Sequence, residues 1–283
     1  MSKCLNLIYP NKSDIDYTIH HFPDGHNHIE LFGKFNTTRR IDVVCRICNA
    51  EDLFLLHQIK NILDVNDMRI STLYISYLFT ARCDRRFNIG QGLDLKIVAN
   101  QLQQLNACEY RIVDVHSGKL NQYLEYTDLY KILSFPYKDY RICFPDEGAY
   151  NRLVTWDYHS QLFSLTEHVG KIKPVICKKT RITVDGQPDI IKTEIDSKPK
   201  KAHKRPILVV DDLCDGGGTF IAVAEKLREL NPPKISIFVT HAIQLAGIER
   251  ISKVFDEVFI SNSYKDWDNV QLPSNVKVLK VNF

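Results

Sequence analysis

The sequence predicts an α/β protein built on mainly parallel sheets, in a chain long enough for two such domains, and three observations carry that expectation. Short apolar runs alternate with segments of helical periodicity along the length, the pattern of parallel strands joined by helices. At 283 residues with 44% apolar side chains, the chain can fill two cores. The run Ile207 to Val210 is continuously apolar and ends at a polar turn, as in a central strand covered on both faces.

In order, the strand-like runs are "RIDVVCRI", "RISTLYISYLF", "EYRIVDV", "YRICFP", "KPVICK", "PILVVDD", "KISIFVTHA" and "EVFISN". Between them, "EDLFLLHQIKNIL" and "LDLKIVANQLQQL" have helical spacing. The polar segment "KTRITVDGQPDIIKTEIDSKPKKAHKRP" has little apolar periodicity and reads as a hairpin-like or mobile flap rather than core. An internal boundary is expected near Tyr130 to Tyr140, giving domains 1–135 and 136–283. There is no repeat of fixed period and no low-complexity tract.

The net charge of +3 is small beside 37 basic and 34 acidic residues, which argues against a general nucleic-acid or membrane partner and for small-molecule chemistry. No apolar run approaches the roughly 18 residues of a membrane span. The opening "MSKCLNLIYPNKSD" lacks the features of a signal peptide, so a cytoplasmic protein is expected. The eight cysteines are scattered, several within apolar runs, as reduced buried thiols are. Cys45 and Cys48 form one CxxC, with no second pair to complete a zinc set, so core packing is the expected role.

The densest signal is "RPILVVDDLCDGGGTFIAVAEKLREL". Ile221, Val223, Ala224 and Leu227 recur at helical spacing, with Thr219 suited to cap that helix or lie in its first turn. Gly216, Gly217 and Gly218 therefore bridge strand and helix, where backbone N–H groups and the helix dipole favour a phosphate. Asp211, Asp212 and Asp215 would repel a bare anion, but suit a ribose phosphate with a divalent cation: carboxylates accept from sugar hydroxyls or hold the metal. Neither GxxxxGK[ST] nor GxGxxG fits, which excludes an ordinary nucleotide-hydrolase loop and a dinucleotide loop.

Four further clusters follow apolar runs. "TARCDRRFNIGQG" carries Arg82, Asp84, Arg85 and Arg86, a cationic patch suited to polyphosphate. "RIVDVHSG" ends with Asp114, His116 and Ser117, and "RICFPDEGAYNR" carries Asp146 and Glu147. "ICKKTR" places Lys178, Lys179 and Arg181 at the mouth of the flap, where cations can close over a phosphoryl group in transfer. Oxygen ligands with an imidazole suggest magnesium held largely through water and substrate phosphate, not zinc.

With these residues in place, the chain resembles the ribose-phosphate diphosphokinases, or phosphoribosyl pyrophosphate synthetases, of the type I phosphoribosyltransferase fold group. The likeness runs in order through "HFPDGH", "ARCDRRF", "VDVHSG", "FPDEGAYNR", "KKTR", "VVDDLCDGGGT" and "VTHAI". It implies two similar domains, each a mainly parallel sheet flanked by helices. The implied reaction moves the β,γ-diphosphate of magnesium ATP to the anomeric hydroxyl of ribose 5-phosphate, releasing AMP. By resemblance, Asp211 and Asp212 face the ribose hydroxyls and Asp215 to Thr219 wrap the 5-phosphate. Arg82, Asp84 and Arg85 lie in the ATP-contacting segment, while Phe22, Asp24 and His26 form an adenine-side loop supplied by the adjacent subunit of a homo-oligomer. His116 and Asp146 match positions near magnesium. Lys179 and Arg181 match a catalytic lysine–x–arginine pair, with Lys178 the alternative lysine.

The sequence also departs from the family pattern. Gly216 stands where a threonine is usual, His26 replaces a glutamate, Cys83 a glutamine and Asn151 a lysine. The final "VKVLKVNF" stands where the family continues into another helix, so regulation by nucleoside diphosphates is not expected to carry over. Losing the threonine hydroxyl raises a second acceptor, ADP-ribose, whose esterified phosphate needs fewer donors and whose 1-diphosphate could serve NAD resynthesis. An inactive regulatory paralogue is a third possibility. A phosphoribosyltransferase would not need the first-half motifs.

Overall fold

The computed structural model describes residues 3–129, 137–155, 168–184, 187–195 and 204–281. The chain divides into two compact units, Met1–Leu129 and Tyr130–Asn282. In the first, β1 (Lys3–Asn6), β4 (Arg40–Ile47), β5 (Arg69–Leu78), β6 (Glu109–Ile112) and β7 (Thr127–Asp128) form a wholly parallel sheet in the order 1-4-5-6-7. β2 (Asp16–His21) and β3 (Asn27–Phe32) form a separate antiparallel hairpin. Helix α1 (Ala50–Val65) starts in a capping box, the Asn49 side chain accepting from the Asp52 N–H while the Asp52 carboxylate accepts from that of Asn49. Its buried stripe of Leu53, Leu56, Ile59 and Leu63 covers the sheet with Leu95, Val98, Ala99 and Leu102 of α2 (Asp94–Gln104).

The second unit holds a sheet in the order β10-β9-β8-β11-β12-β13-β14. Its strands are β8 (Arg141–Phe144), β9 (Val175–Val184), β10 (Gln187–Ile195), β11 (Ile207–Cys214), β12 (Ile235–Ala242), β13 (Glu257–Ser261) and β14 (Val276–Leu279). All pair in parallel except β10, which returns antiparallel along β9 as the hairpin-like segment. Part of the proposed flap is thus an edge of the sheet, and Thr193 is buried there. Ile207 to Val210 are fully buried at the centre, which is why that run has no polar alternation. Helices α3 (Glu147–Tyr150), α4 (Gly218–Arg228) and α5 (Leu245–Ser252) follow β8, β11 and β12. α4 buries Phe220, Val223, Ala224 and Leu227, so Phe220 takes the first core position expected of Ile221. The eight cysteines are free thiols, Cys45 buried and Cys48 partly so.

Candidate active site

In the second unit the chain starts in mid-sheet at β8, passes to β9 and β10 on one side, and resumes with β11 on the other. The carboxyl ends of β8 and β11 therefore flank a topological switch point, where open α/β sheets hold ligands. Asp146 leaves β8 as the N-cap of α3, its carboxylate accepting the Ala149 N–H at 2.9 Å. Arg152 follows in a single π-helical turn, Asn151–Thr155. Asp211 and Asp212 follow the continuously buried run Ile207 to Val210 of β11.

Arg152 joins these two strand ends. Its Nη2 lies 3.4 Å from Oδ1 of Asp211 and 3.4 Å from Oδ1 of Asp212, with its side chain only 8% exposed. The Asp212 N–H also donates to Asp211 Oδ1 at 2.9 Å. Burial, followed by the adjacent Asp212 charge, pushes the Asp211 carboxyl well above the usual carboxylate range, and Arg152 opposes both. The result is a close pair of carboxyl groups with one guanidinium between them, suited to hydrogen bonds with vicinal hydroxyls.

The glycine turn is shaped by α5. Gly217 is the N-cap of α4 at φ 76°, and a Cβ there would lie 2.9 Å from Ile251 Cγ2 and 3.0 Å from the Gly247 carbonyl oxygen. Gly247 is tighter still, since a Cβ there would overlap the Asp215 carbonyl oxygen. Gln244 Nε2 donates to Asp215 Oδ1 at 2.6 Å, and Arg250 Nη1 donates to the Gly216 carbonyl at 2.8 Å. Gly216 itself has room: a Cβ would meet only Arg250 Nη1, at 3.8 Å. Thr219 lies in the first turn of α4 and does not cap it. Gly218 and Thr219 open α4, whose N-terminal end carries the partial positive charge that favours an anion.

On β9, Lys178 is exposed and pairs in register with Glu194, while Lys179 and Arg181 pair with Thr193 and Ile191. Lys179 and Arg181 share one phase of the strand's alternation and Lys178 has the other. The side chains of Lys179 and Arg181 lie outside the described residues.

In the first unit, Asp84 after β5 is buried and meets three elements of charge and polarity. It accepts from Arg85 Nε at 2.8 Å and Ser117 Oγ at 2.7 Å, with Lys119 Nζ 3.7 Å away. Burial raises its carboxyl, but the hydrogen bonds from Arg85 and Ser117 and the charges of Arg85 and Lys119 outweigh it, lowering the value to about 2. Arg82 and His116 are exposed at the ends of β5 and β6. At the β2–β3 turn, Gly25 has φ 92°, and Asp24 Oδ1 accepts the His26 N–H at 3.1 Å. His26 stacks on Phe22 at 5.8 Å and 13°, meets Phe54 edge-on at 5.8 Å, and has Nδ1 3.6 Å from Glu51 Oε1. The histidine at the glutamate's usual place thus extends an aromatic surface, with Phe22 and Phe54 each 50% exposed.

His116 and Asp146 stand in different units, and among the described residues no group of three or more His, Cys, Asp or Glu gathers for a metal. No described helix is long and apolar enough to cross a membrane.

No family model matches the chain. Individual proteins do. It is 27% identical over 253 residues to the ribose-phosphate pyrophosphokinase of Pyrococcus furiosus, covering 86% of this chain and 84% of that one. It is 30% identical over 217 residues to the ribose-phosphate pyrophosphokinase of Mycoplasmopsis pulmonis, covering 73% of this chain and 62% of that one. Along most of its length the chain is similar to ribose-phosphate pyrophosphokinases. Its fold agrees with the crystal structure of phosphoribosylpyrophosphate synthetase from Mycobacterium smegmatis, at TM-score 0.72 and 18% identity over 96% of this chain and 88% of that one. Within the family pattern, Arg152 closes the "FPDEGAYNR" motif, whereas Gln244 and Arg250 lie just beyond "VTHAI". None of the three stands out by spacing, because each acts through a tertiary contact.

Proposed function

We propose that the chain is an ATP-dependent transferase that makes phosphoribosyl pyrophosphate from ribose 5-phosphate. The anomeric oxygen bonds to the β-phosphorus of ATP, the bond from the β-phosphorus to the oxygen bridging to the α-phosphorus breaks, AMP leaves with that oxygen, and the anomeric proton is released. The observation that carries this reading is the Asp211–Asp212 pair set shortly before a glycine turn and helix start, at the switch point of the second sheet. Asp211 and Asp212 would accept from the sugar hydroxyls, and the N–H groups of Asp215 to Thr219 would hold the 5-phosphate. Arg82, Asp84 and Arg85 are assigned to ATP, Phe22, Asp24 and His26 to its adenine side, and Lys179 with Arg181 to the charge developing on the transferred group.

Asp146 offers a carboxylate and His116 an imidazole, while the Asp211–Asp212 pair is engaged by Arg152. Asp146 and His116 each offer a single donor, at the positions that the family resemblance associates with magnesium, as suits an ion carried mainly by water and ATP phosphates and not one enclosed by protein. When bound, magnesium would screen the phosphate charge against the incoming oxygen. The family resemblance further supports a cytoplasmic homo-oligomer whose subunits share the ATP site, with ATP motifs in the N-terminal part of the chain and ribose-phosphate motifs in the C-terminal part.

The competing acceptor is ADP-ribose, which Gly216 suggested by removing a donor. Arg250 Nη1, 3.8 Å from the place of a Gly216 Cβ, sets a cation beside that position and favours the more highly charged phosphate monoester. Mass spectrometry of products formed from ATP, magnesium and either ribose 5-phosphate or ADP-ribose tests the choice. Diphosphorylated ribose 5-phosphate with AMP is expected; diphosphorylated ADP-ribose alone would reassign the acceptor, and no AMP from either would indicate a silent paralogue.

A further inference from the structure

We infer that Arg152 is a positioning residue for the acceptor sugar, setting Asp211 and Asp212 as a fixed pair of hydrogen-bond acceptors for the ribose hydroxyls. The inference rests on the ribose-phosphate reading of this site. Two adjacent carboxyl groups near the end of a buried strand repel each other to the extent that both are charged, and in low-dielectric surroundings that repulsion favours splayed rotamers. Arg152 comes from the turn after β8, 59 residues earlier in the chain, and one nitrogen bridges both carboxylates at 3.4 Å. It engages Asp211 through Oδ1, the same oxygen that accepts the Asp212 N–H, so two donors from different elements fix one carboxylate. Asp146, on the same segment as Arg152, adds a third negative charge nearby, which increases the need for a resident cation. A planar, weakly hydrated guanidinium suits this buried position; a compact, strongly hydrated ammonium does not. Since the cation that organises the pair is part of the fold, acceptor recognition and ATP recognition should be separable by substitution here.

The test is steady-state kinetics of the full-length wild type, Arg152→Lys and Arg152→Gln, varying ribose 5-phosphate and magnesium ATP in turn, with melting temperatures recorded in parallel. Arg152→Lys should raise the KM for ribose 5-phosphate by roughly tenfold, with the KM for ATP within about twofold of wild type, and Arg152→Gln should lower kcat/KM for the acceptor by about a hundredfold. A purely structural role would lower melting temperature and activity together without separating the two KM values. If Arg152→Gln does not fold, Arg152→Lys decides alone. An active wild type with an Arg152→Lys variant whose acceptor KM is unchanged, or whose two KM values rise equally, overturns the inference alone. A wild type that releases no AMP overturns the ribose-phosphate reading and this inference with it.

Discussion

Asp84 illustrates how a single side chain ties charge to stability. Its carboxyl is lowered from 3.8 to about 2 in the fold. A depressed carboxyl contributes stability that is fully present above the unfolded value and is lost as pH falls through the folded one. Asp84→Asn should therefore cost about 1–3 kcal/mol at neutral pH. Thermal melts should show the gap to wild type closing as pH falls from about 4 to about 2, and a gap independent of pH would contradict this account. The two neighbouring glycines give opposite expectations. Gly216→Thr meets only open space beside Arg250 and should fold normally while restoring a hydroxyl to the loop, lowering the KM for ribose 5-phosphate. Gly217→Ala puts a side chain at φ 76° against Ile251 and Gly247, and should raise that KM by roughly tenfold or more. Asp211 to Thr219 were legible in the sequence because carboxylates and glycines between a buried strand and a helix have few other uses. Arg152, Gln244 and Arg250 were not, since they reach this turn from 59, 29 and 34 residues away.

At the level of elements, the turn after β11 is held by α5 as much as by its own sequence. Gly247 permits backbone contact between α5, a helix of eight residues, and Asp215. Gly247→Ala should push α5 off the turn, costing about 3 kcal/mol or more and abolishing saturable use of ribose 5-phosphate. Melting temperature and acceptor kinetics together check this; a stable variant with wild-type KM would show that the helix does not set the turn. Central strands were legible for a plain reason: β4, β5, β11 and β12 are buried along most of their length and read as apolar runs. β2 exposes four of its six residues, and β1, β7 and β14 have four, two and four residues, so neither burial nor length marks them. The phase of α4 slipped by one because Phe220 and Ile221 are both apolar and only the fold decides which is buried.

For the whole molecule, each unit carries its own mainly parallel sheet and its own core, as the alternation of strands and helices predicts. What the linear pattern could not give was strand order, and in the second unit that order puts the ends of β8 and β11 at a switch point. If subunits share the ATP site, as the family resemblance implies, Phe22→Ala and Asp211→Asn variants should complement each other. Equal mixing of the two inactive proteins after subunit exchange should restore about a quarter of wild-type activity, since random dimer pairing makes half the assemblies mixed and each has one intact site. No recovery despite confirmed exchange would place the whole ATP site in one subunit. The most direct test of the central claim is ³¹P NMR of the protein with ATP, magnesium and ribose 5-phosphate. The account predicts stoichiometric AMP and a new diphosphate bonded to the sugar's anomeric oxygen; ADP with a sugar bisphosphate, or no change in the ATP signals, would contradict it.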